Sequence, residues 1–328
     1  MTAAKHVIEM IQSHIAGDSE RFLAIAENIA DDAGKSGKIK VAGEIRGMVE
    51  NIRRDSLEKR RLEPVPMISP RGELAGLVRA IYPETKLSDL VLNADLGRRI
   101  HGVVREHKAR HLLDAKGLSP RRKFLFSGPP GTGKGMTAAA IAGDLGLPLF
   151  TILLDGVITK FMGETAAKMR LVFDAMRTTR GVYFFDEVDA LASRRDADND
   201  IGEARRMLNS FLQFLEDDKS GSVIIAATNH RTLLDPAIFR RFHAAFSYLK
   251  PTPDEGRQVI TNHLGQFDLS VVEWELLESE MIGLSQADLV SVADDAARDS
   301  VLDHNGDMNS EILKRALRDR KALHNDAL

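Results

Sequence analysis

The sequence contains no cysteine, and this absence excludes disulfide bonds, thiolate zinc sites and cysteine nucleophiles. A long apolar run is lacking as well, since no stretch approaches the roughly 20 residues that a membrane-spanning helix needs. The first apolar stretch carries Lys5, His6 and Glu9, which are foreign to the apolar core of a signal peptide. We therefore expect a cytoplasmic protein that has no membrane partner.

An excess of either charge is also missing. The formal net charge is -3, from 45 basic and 48 acidic residues. Chains dedicated to nucleic acid are more often clearly basic, so this balance disfavours nucleic acid as a partner. The ten histidines show no paired spacing typical of metal ligands, and neither a protease triad nor an H-E-x-x-H zinc helix is visible. Any associated proteolysis would come from another chain.

The N-terminal part of the chain carries no recognisable chemistry. Residues 1–53 repeat apolar side chains at helical spacing and predict a small helical N-terminal domain. Its role stays open between a packing or oligomerisation piece and an adaptor for a partner or substrate. Residues 54–86 are predicted to be a linker, because a basic run is followed closely by three prolines. One short helix is expected within it, at 74–81.

A phosphate cradle is predicted at 123–137, KFLFSGPPGTGKGMT. An apolar strand, a glycine-rich turn and a helix follow one another there. Glycines let the backbone wrap an anion, and the helix N-terminus adds partial positive charge. Gly128, Gly133 and Lys134 match the pattern G-x-x-x-x-G-K-[ST]. The expected nucleotide-binding residues are Gly128, Pro129, Pro130, Gly131, Thr132, Gly133, Lys134, Gly135 and Met136.

Gly135 departs from that pattern, because it replaces the hydroxyl that ligates Mg²⁺. Thr137 is a poor substitute, since two positions along a helix turn a side chain about 200° away. The loop amides and Lys134 remain. We therefore expect nucleotide binding to survive and hydrolysis to be impaired.

Apolar strands alternate with helices after the loop. Continuous apolar strands separated by helices predict a parallel sheet covered on both faces. The five strands are expected at 124–126, 149–154, 182–185, 223–227 and 245–249. The predicted fold class is α/β, a P-loop NTPase with this parallel five-stranded sheet at 87–250, followed by an all-helical lid at 251–328.

Polar side chains follow two of these strands. Asp186 comes first after its strand and is expected to hold Mg²⁺, while Glu187 would polarise the attacking water. Asn229 is expected to hold that water or the γ-phosphate. Arg240 and Arg241 are candidates for an arginine supplied to a neighbouring subunit's γ-phosphate. Each of these predictions has an alternative without a catalytic role. The two acids could simply open a surface turn, the asparagine could form a turn, and the arginines could be an ordinary surface pair.

These stretches together resemble the AAA family of ring ATPases, over roughly 87–322. The likeness extends to 283–288, GLSQAD, which is similar to the family's lid motif G-x-S-G-A-D, and to 88–91, which resembles the segment that brackets adenine. Gln286 stands where glycine is usual, and His243 stands where aspartate is usual. The resemblance implies ATP and Mg²⁺ as cofactors and a homo-oligomer, a hexamer when nucleotide is bound.

Phe161, Met162 and Gly163 look like the family's first pore loop, in which an aromatic side chain grips an extended polypeptide. The alternative is a phenylalanine buried in the core. The resemblance thus implies a protein substrate that is remodelled, unfolded or threaded through a ring. The domain arrangement is also similar to that of bacterial AAA proteins encoded beside a subtilisin-like serine protease, which implies such a protease as a partner.

Two other functions remain open. In the first, Gly135 makes the chain a nucleotide-gated scaffold that assembles around a partner with little turnover. In the second, the chain is a DNA-handling ATPase, which the balanced charge and the aromatic pore tip disfavour.

Overall fold

The computed structural model describes residues 25–26, 29–30, 43, 47–48, 72–157, 164–191, 200–233 and 236–325. The chain divides into two compact units, Met1–Met67 and Ile68–Leu328. The described residues of the first unit are helical. Most of the predicted N-terminal helices and the basic, proline-rich part of the predicted linker lie outside the described residues.

The second unit is built on a six-stranded sheet with strand order β1-β3-β4-β5-β2-β6. Strand β1 runs antiparallel to β3, and every other neighbouring pair is parallel. The strands are Val78–Ile81 (β1), Lys123–Ser127 (β2), Leu149–Ile152 (β3), Val182–Phe185 (β4), Val223–Thr228 (β5) and Ala244–Ser247 (β6). The α/β class and the five parallel strands are confirmed, and the sheet has a sixth strand that we did not predict.

Strand β1 corrects the prediction of a helix at 74–81. A 3-10 helix, Gly72–Gly76, is followed directly by the strand. Val78 pairs with Ile152, and Ile81 pairs with Leu149. The four residues of β1, VRAI, form a segment too short for its hydrophobic pattern to distinguish a strand from a helix. The segment becomes a strand because its backbone N–H and C=O groups pair with the edge of β3. A short isolated helix would leave most of those groups without a hydrogen-bond partner.

Helices cover both faces of the sheet and form the C-terminal region. They are Ala94–Lys108 (α1), Arg110–Asp114 (α2), Lys134–Leu145 (α3), Leu154–Val157 (α4), Glu164–Thr178 (α5), Asp200–Asp217 (α6), Pro236–Phe239 (α7), Pro253–His263 (α8), Glu278–Met281 (α9), Gln286–Asp303 (α10) and Ser310–Asn325 (α11). Among the described residues, no helix combines the length and the apolar character needed to cross a membrane.

The core strands are buried on both faces, as continuous apolar runs require. Phe124 and Phe126 of β2 pack on one face of the sheet with Ile141 of α3. Leu125 packs on the other face with Phe185 of β4. A third apolar cluster holds α8, α10 and α11 together as the predicted helical lid. The sheet therefore fixes the carboxyl ends of β2, β4 and β5 beside one another.

Helix α3 lies unusually close to the segment that leads into α1. A Cβ atom at Gly143 would lie 2.1 Å from the carbonyl oxygen of Thr85 and 2.9 Å from that of Pro83. The Nζ of Lys86 also donates to the carbonyl of Gly143, and the backbone N–H of Leu87 donates to Asp144. Glycine is thus required at 143 by this close approach.

We predict opposite effects for alanine at two helical glycines. Alanine is favoured over glycine in a helix by about 1 kcal/mol. At Gly102 of α1 the added methyl group would meet nothing within 4 Å, so Gly102→Ala should raise the free energy of unfolding. Gly143→Ala should lower it by about 1–3 kcal/mol because of overpacking. Urea unfolding monitored by circular dichroism measures both, and equal shifts for the two variants would contradict the close packing.

Candidate functional site

The loop after β2 depends on three glycines whose backbone lies in the region that favours glycine. Their φ angles are 155° at Gly128, 72° at Gly131 and 90° at Gly133. Side chains would also collide there: a Cβ at Gly128 would lie 2.3 Å from the carbonyl oxygen of Tyr248, and one at Gly131 would lie 2.4 Å from the Oγ of Ser285. The three glycines therefore specify the conformation of this loop, which leads directly into the N-terminus of α3.

Lys134 is the first residue of α3, and its side chain is buried. Its Nζ donates three hydrogen bonds of 2.8 Å, to the carbonyl oxygens of Gly128 and Pro129 and to the Oδ1 of Asn229. Burial lowers the pKa of this ammonium group, while the carboxylates of Asp186, Asp189 and Glu187 act in the opposite direction. The ammonium group thus joins the loop after β2 to the end of β5.

The predicted acids follow β4, beside that ammonium group. Burial raises the pKa of Asp186, against the lowering effect of a hydrogen bond from the backbone N–H of Glu187 and of the charge on Lys134. That hydrogen bond is 3.0 Å long. Glu187 has a φ angle of 52°, a left-handed conformation that is uncommon for a residue other than glycine. Such strained positions cluster at functional sites.

A cavity of about 590 Å³ joins these groups to the lid. It lies at the carboxyl ends of β2, β4 and β5, where α/β proteins bind ligands. Its lining includes Asp89, Leu90, Val91, Pro130, Gly131, Gly133, Lys134, Gly135, Met136, Asp186, Glu187, Asn229, Val259, Asn262, His263, Gln286, Ala287 and Val290. Most of the predicted nucleotide residues therefore meet in one cavity.

Four lid residues in this lining were missed by the sequence analysis. Val259, Asn262 and His263 come from α8, and Val290 comes from α10. The Nε2 of His263 lies 2.7 Å from the Oδ1 of Asp294. No motif marks these residues in the sequence, since they reach the cavity only through the packing of the lid.

The lid contacts the phosphate loop through the start of α10. The backbone N–H of Ala287 donates to the carbonyl of Gly131 over 3.0 Å. Ser285 caps the helix, and its hydroxyl donates to Asp288. Burial alone would raise the pKa of Asp288, but hydrogen bonds from Ser285, His324 and Arg320 hold it well below its usual range. This charged network fixes the end of α10 that borders the cavity.

Gly135 lies at the start of α3 and lines the cavity without contributing a polar side chain. A Cβ atom added there would lie 3.7 Å from the nearest carbon of the Phe184 ring, which is an ordinary van der Waals distance. The first atom of a larger side chain therefore fits, and glycine is not required at 135 by packing.

The remaining predicted site residues lie elsewhere. Arg240 and Arg241 are exposed and are absent from the described lining of the cavity. Arg241 forms an ion pair with Glu216, whereas Arg240 has no ionic partner among the described residues. Phe161, Met162 and Gly163, the predicted pore loop, lie outside the described residues.

His243 connects the arginine-bearing turn to β2. Its Nδ1 accepts hydrogen bonds from the backbone N–H groups of Arg122 and Lys123, over 3.0 and 3.2 Å. Desolvation lowers the pKa of His243, as do the charges of Lys123, Arg122 and Arg121, and Glu106 opposes them. The neutral ring is the form that accepts both bonds, because a protonated imidazole has no acceptor nitrogen.

We predict that His243 makes folding stability fall towards acidic pH. Its folded pKa lies below the unfolded value of about 6.5, so the unfolded chain binds the proton first as the pH drops and stability decreases below that value. His243→Asn keeps an acceptor but does not titrate. Between pH 7.5 and 5.5, urea midpoints should therefore fall less for His243→Asn than for the unmodified chain. The exposed His101→Asn variant is the control, and an unchanged pH dependence in His243→Asn would oppose the assignment.

Comparisons with known proteins agree with this geometry. Residues 124–248 match the family model described as "ATPase family associated with various cellular activities (AAA)". The uncharacterized AAA family ATPase y4kL of Sinorhizobium fredii is 38% identical over 236 residues, which cover 72% of this chain and 71% of that protein. In the solved structures, the AAA domain of FIGL-1 matches with a TM-score of 0.58 and 22% identity, over 74% of this chain and 85% of that chain. This last likeness concerns the fold.

Larger proteins share the same region. The ATP-dependent zinc metalloprotease FtsH 3 of Sphaerobacter thermophilus is 30% identical over 233 residues, which cover 69% of this chain and 48% of that protein. FtsH 1 of Symbiobacterium thermophilum is 34% identical over 191 residues, covering 56% of this chain and 32% of that protein. The chain thus spans less than half the length of these metalloproteases. The matched region, with the y4kL relative above all, shows that the chain belongs to the AAA family of ATPases.

Proposed function

We propose that the chain binds ATP in the cavity between the sheet and the lid, and that it hydrolyses ATP to remodel, unfold or thread a protein substrate through a ring of identical subunits. The observation that carries this proposal is the meeting of Lys134, Asp186, Glu187 and Asn229 in one cavity. These four side chains lie in the segments that follow three neighbouring parallel strands, β2, β4 and β5. We assign the ATPase domain to 87–250 and the lid to 251–328.

The phosphate loop fits the polyphosphate of ATP. Its glycine-dependent backbone precedes a helix N-terminus, which favours anions. Lys134 already makes three hydrogen bonds to oxygen atoms, so its ammonium group can exchange a carbonyl partner for a phosphate oxygen with little rearrangement. The apolar side chains of Val259 and Val290 form part of the lid side of the cavity and suit the base.

A magnesium site fits the same corner through Asp186. Asp186 lines the same cavity as Gly135, which has no side-chain oxygen to offer as a ligand, so water and phosphate oxygens would complete the coordination. Mg²⁺ usually keeps several waters when it binds to proteins. When bound, the ion supplies positive charge that stabilises the transferring phosphoryl group.

We assign roles to the remaining predicted site residues from their positions in the structure. Glu187 borders the cavity at a strained turn and would orient and deprotonate the attacking water. The Oδ1 of Asn229 accepts a hydrogen bond from Lys134, and this side chain would sense whether a γ-phosphate is bound. Arg240 or Arg241 would complete the site of a neighbouring subunit, because neither lines the cavity of its own chain among the described residues. Because each ATP site would then take residues from two subunits, this arrangement requires a homo-oligomer, and we propose a hexamer.

A protein substrate is proposed from the pattern around Phe161, Met162 and Gly163 and from the metalloprotease relatives, whose name joins ATP use to proteolysis. The sequence holds no recognisable protease motif. We therefore propose that any proteolysis is carried out by a separate serine protease. The scaffold alternative rests on Gly135 alone and predicts ATP-dependent assembly without phosphate release.

Replacing Gly135 with threonine should raise turnover. The substitution restores a hydroxyl group near the proposed magnesium site. The added Cβ atom fits beside the ring of Phe184. We expect Gly135→Thr to release phosphate roughly tenfold or more faster, in line with the effect of one well-placed charge-stabilising group. Gly135→Ala is the matched control, since it removes the helical glycine without adding an oxygen. Phosphate release is measured at saturating ATP and Mg²⁺.

The variants also separate the two functions. Glu187→Gln should lower turnover by about 10²–10⁴-fold if the carboxylate acts as a general base, with ATP binding retained. Turnover by Gly135→Thr equal to that of the unmodified chain would show that Gly135 does not limit hydrolysis. Assembly with ATP but no phosphate release from any variant would favour the scaffold.

Mixing two inactive variants tests whether subunits share a site. Lys134→Ala lacks the phosphate ligand, and Arg240→Ala lacks the group offered to the neighbour, a loss worth about 10³–10⁵-fold in turnover. If sites form between subunits, an equal mixture should recover about a quarter of the activity, because that fraction of random pairs has both groups intact. Arg241→Ala in place of Arg240→Ala identifies which arginine acts. Failure of both mixtures to recover activity would refute the shared site.

A further inference from the structure

Gln286 lines the cavity and extends its side chain from the lid to the segment that leads into α1. It is the first residue of α10 and is partly buried. Its Nε2 donates a 2.7 Å hydrogen bond to the carbonyl oxygen of Val91. Its Oε1 lies 3.1 Å from the position that a Cβ atom would occupy at Gly133. The amide therefore lies between the segment that leads into α1 and the phosphate loop.

Both ends of this bridge border the space that a nucleotide would occupy. Asp89, Leu90 and Val91 line the cavity on one side, and Gly131, Gly133 and Lys134 line it on the other. A nucleotide reaches from a base pocket to the phosphate loop, so its path crosses the amide of Gln286. The side chain of Val91 is buried in the apolar cluster of the lid, which leaves its carbonyl oxygen as the polar group that faces Gln286.

We propose that Gln286 is a latch on the nucleotide cavity. In the empty chain its amide satisfies the Val91 carbonyl and holds the lid against the leading segment. A nucleotide must displace this amide before its base can approach Val91. Gln286 therefore lowers the affinity for nucleotide and stabilises the empty, closed arrangement. This inference rests on the proposed ATP site and adds a residue that sets how tightly the site binds.

The size of the effect follows from one hydrogen bond. Removing the amide leaves the Val91 carbonyl without its partner in the empty chain only, because in the bound state that partner has already been displaced. The empty state is destabilised relative to the bound state, and binding tightens. The net value of one hydrogen bond corresponds to about a three- to tenfold change in the dissociation constant.

The test is the dissociation constant of fluorescent ATP and ADP analogues, with Mg²⁺, on the full chain. Gln286→Ala should bind both analogues about three- to tenfold more tightly. Gln286→Asn should behave in the same way, because an amide shorter by one methylene group does not bridge the gap. Gln258→Ala, an exposed glutamine of α8 outside the cavity lining, is the matched control and should bind like the unmodified chain.

Hydrogen exchange gives a second measurement that does not depend on affinity. Peptides covering 88–93 should exchange faster in Gln286→Ala than in the unmodified chain when nucleotide is absent, and equally fast when it is saturating. A purely structural role would raise exchange in both states and would overturn the latch, as would unchanged or weaker nucleotide binding by Gln286→Ala. An absence of nucleotide binding to every variant and to the unmodified chain would instead refute the proposed ATP site, and the latch with it.

Discussion

The buried ammonium group of Lys134 is the interaction on which the site depends. Burial works against its charge, and three oxygen acceptors offset that cost. Two acceptors belong to the loop after β2, and the third is Asn229 after β5. The charge is therefore satisfied only when β2 and β5 are paired in register. The pairing of β2 with β5 thus brings the third acceptor, Asn229, to the ammonium group.

Parallel strands explain why so much of this site could be predicted from the sequence. Apolar runs identify β2, β4 and β5 locally, and parallel pairing then brings the residues that follow them to one edge. Strand β1 could not be predicted in this way, because its four residues become a strand only by pairing with β3. Asn262 and His263 could not be predicted as site residues for a related reason. They line the cavity because of how the lid packs, and no local sequence pattern marks them.

Two departures from the family's pattern meet in the same cavity. Gly135 lacks a side-chain oxygen near the proposed magnesium site, and Gln286 places an amide next to the carbonyl oxygen of Val91. Packing does not require glycine at 135, because an added Cβ atom would make only ordinary van der Waals contacts there. Sites where local rules are broken without structural need are where function is expected to be specified. We propose that the first departure affects the rate of ATP hydrolysis and that the second affects the affinity for nucleotide.

The charges that line the cavity are consistent with the proposed second subunit. Lys134 is the one lysine or arginine among the described residues that line the cavity, whereas Asp89, Asp186 and Glu187 supply carboxylates. ATP would add several more negative charges to this space. A divalent cation would offset part of that excess, and we propose that further positive charge comes from a neighbouring subunit. Arg240 is exposed and has no ionic partner among the described residues. Such a side chain is available to a neighbour, and phosphoryl transfer uses arginine in this role.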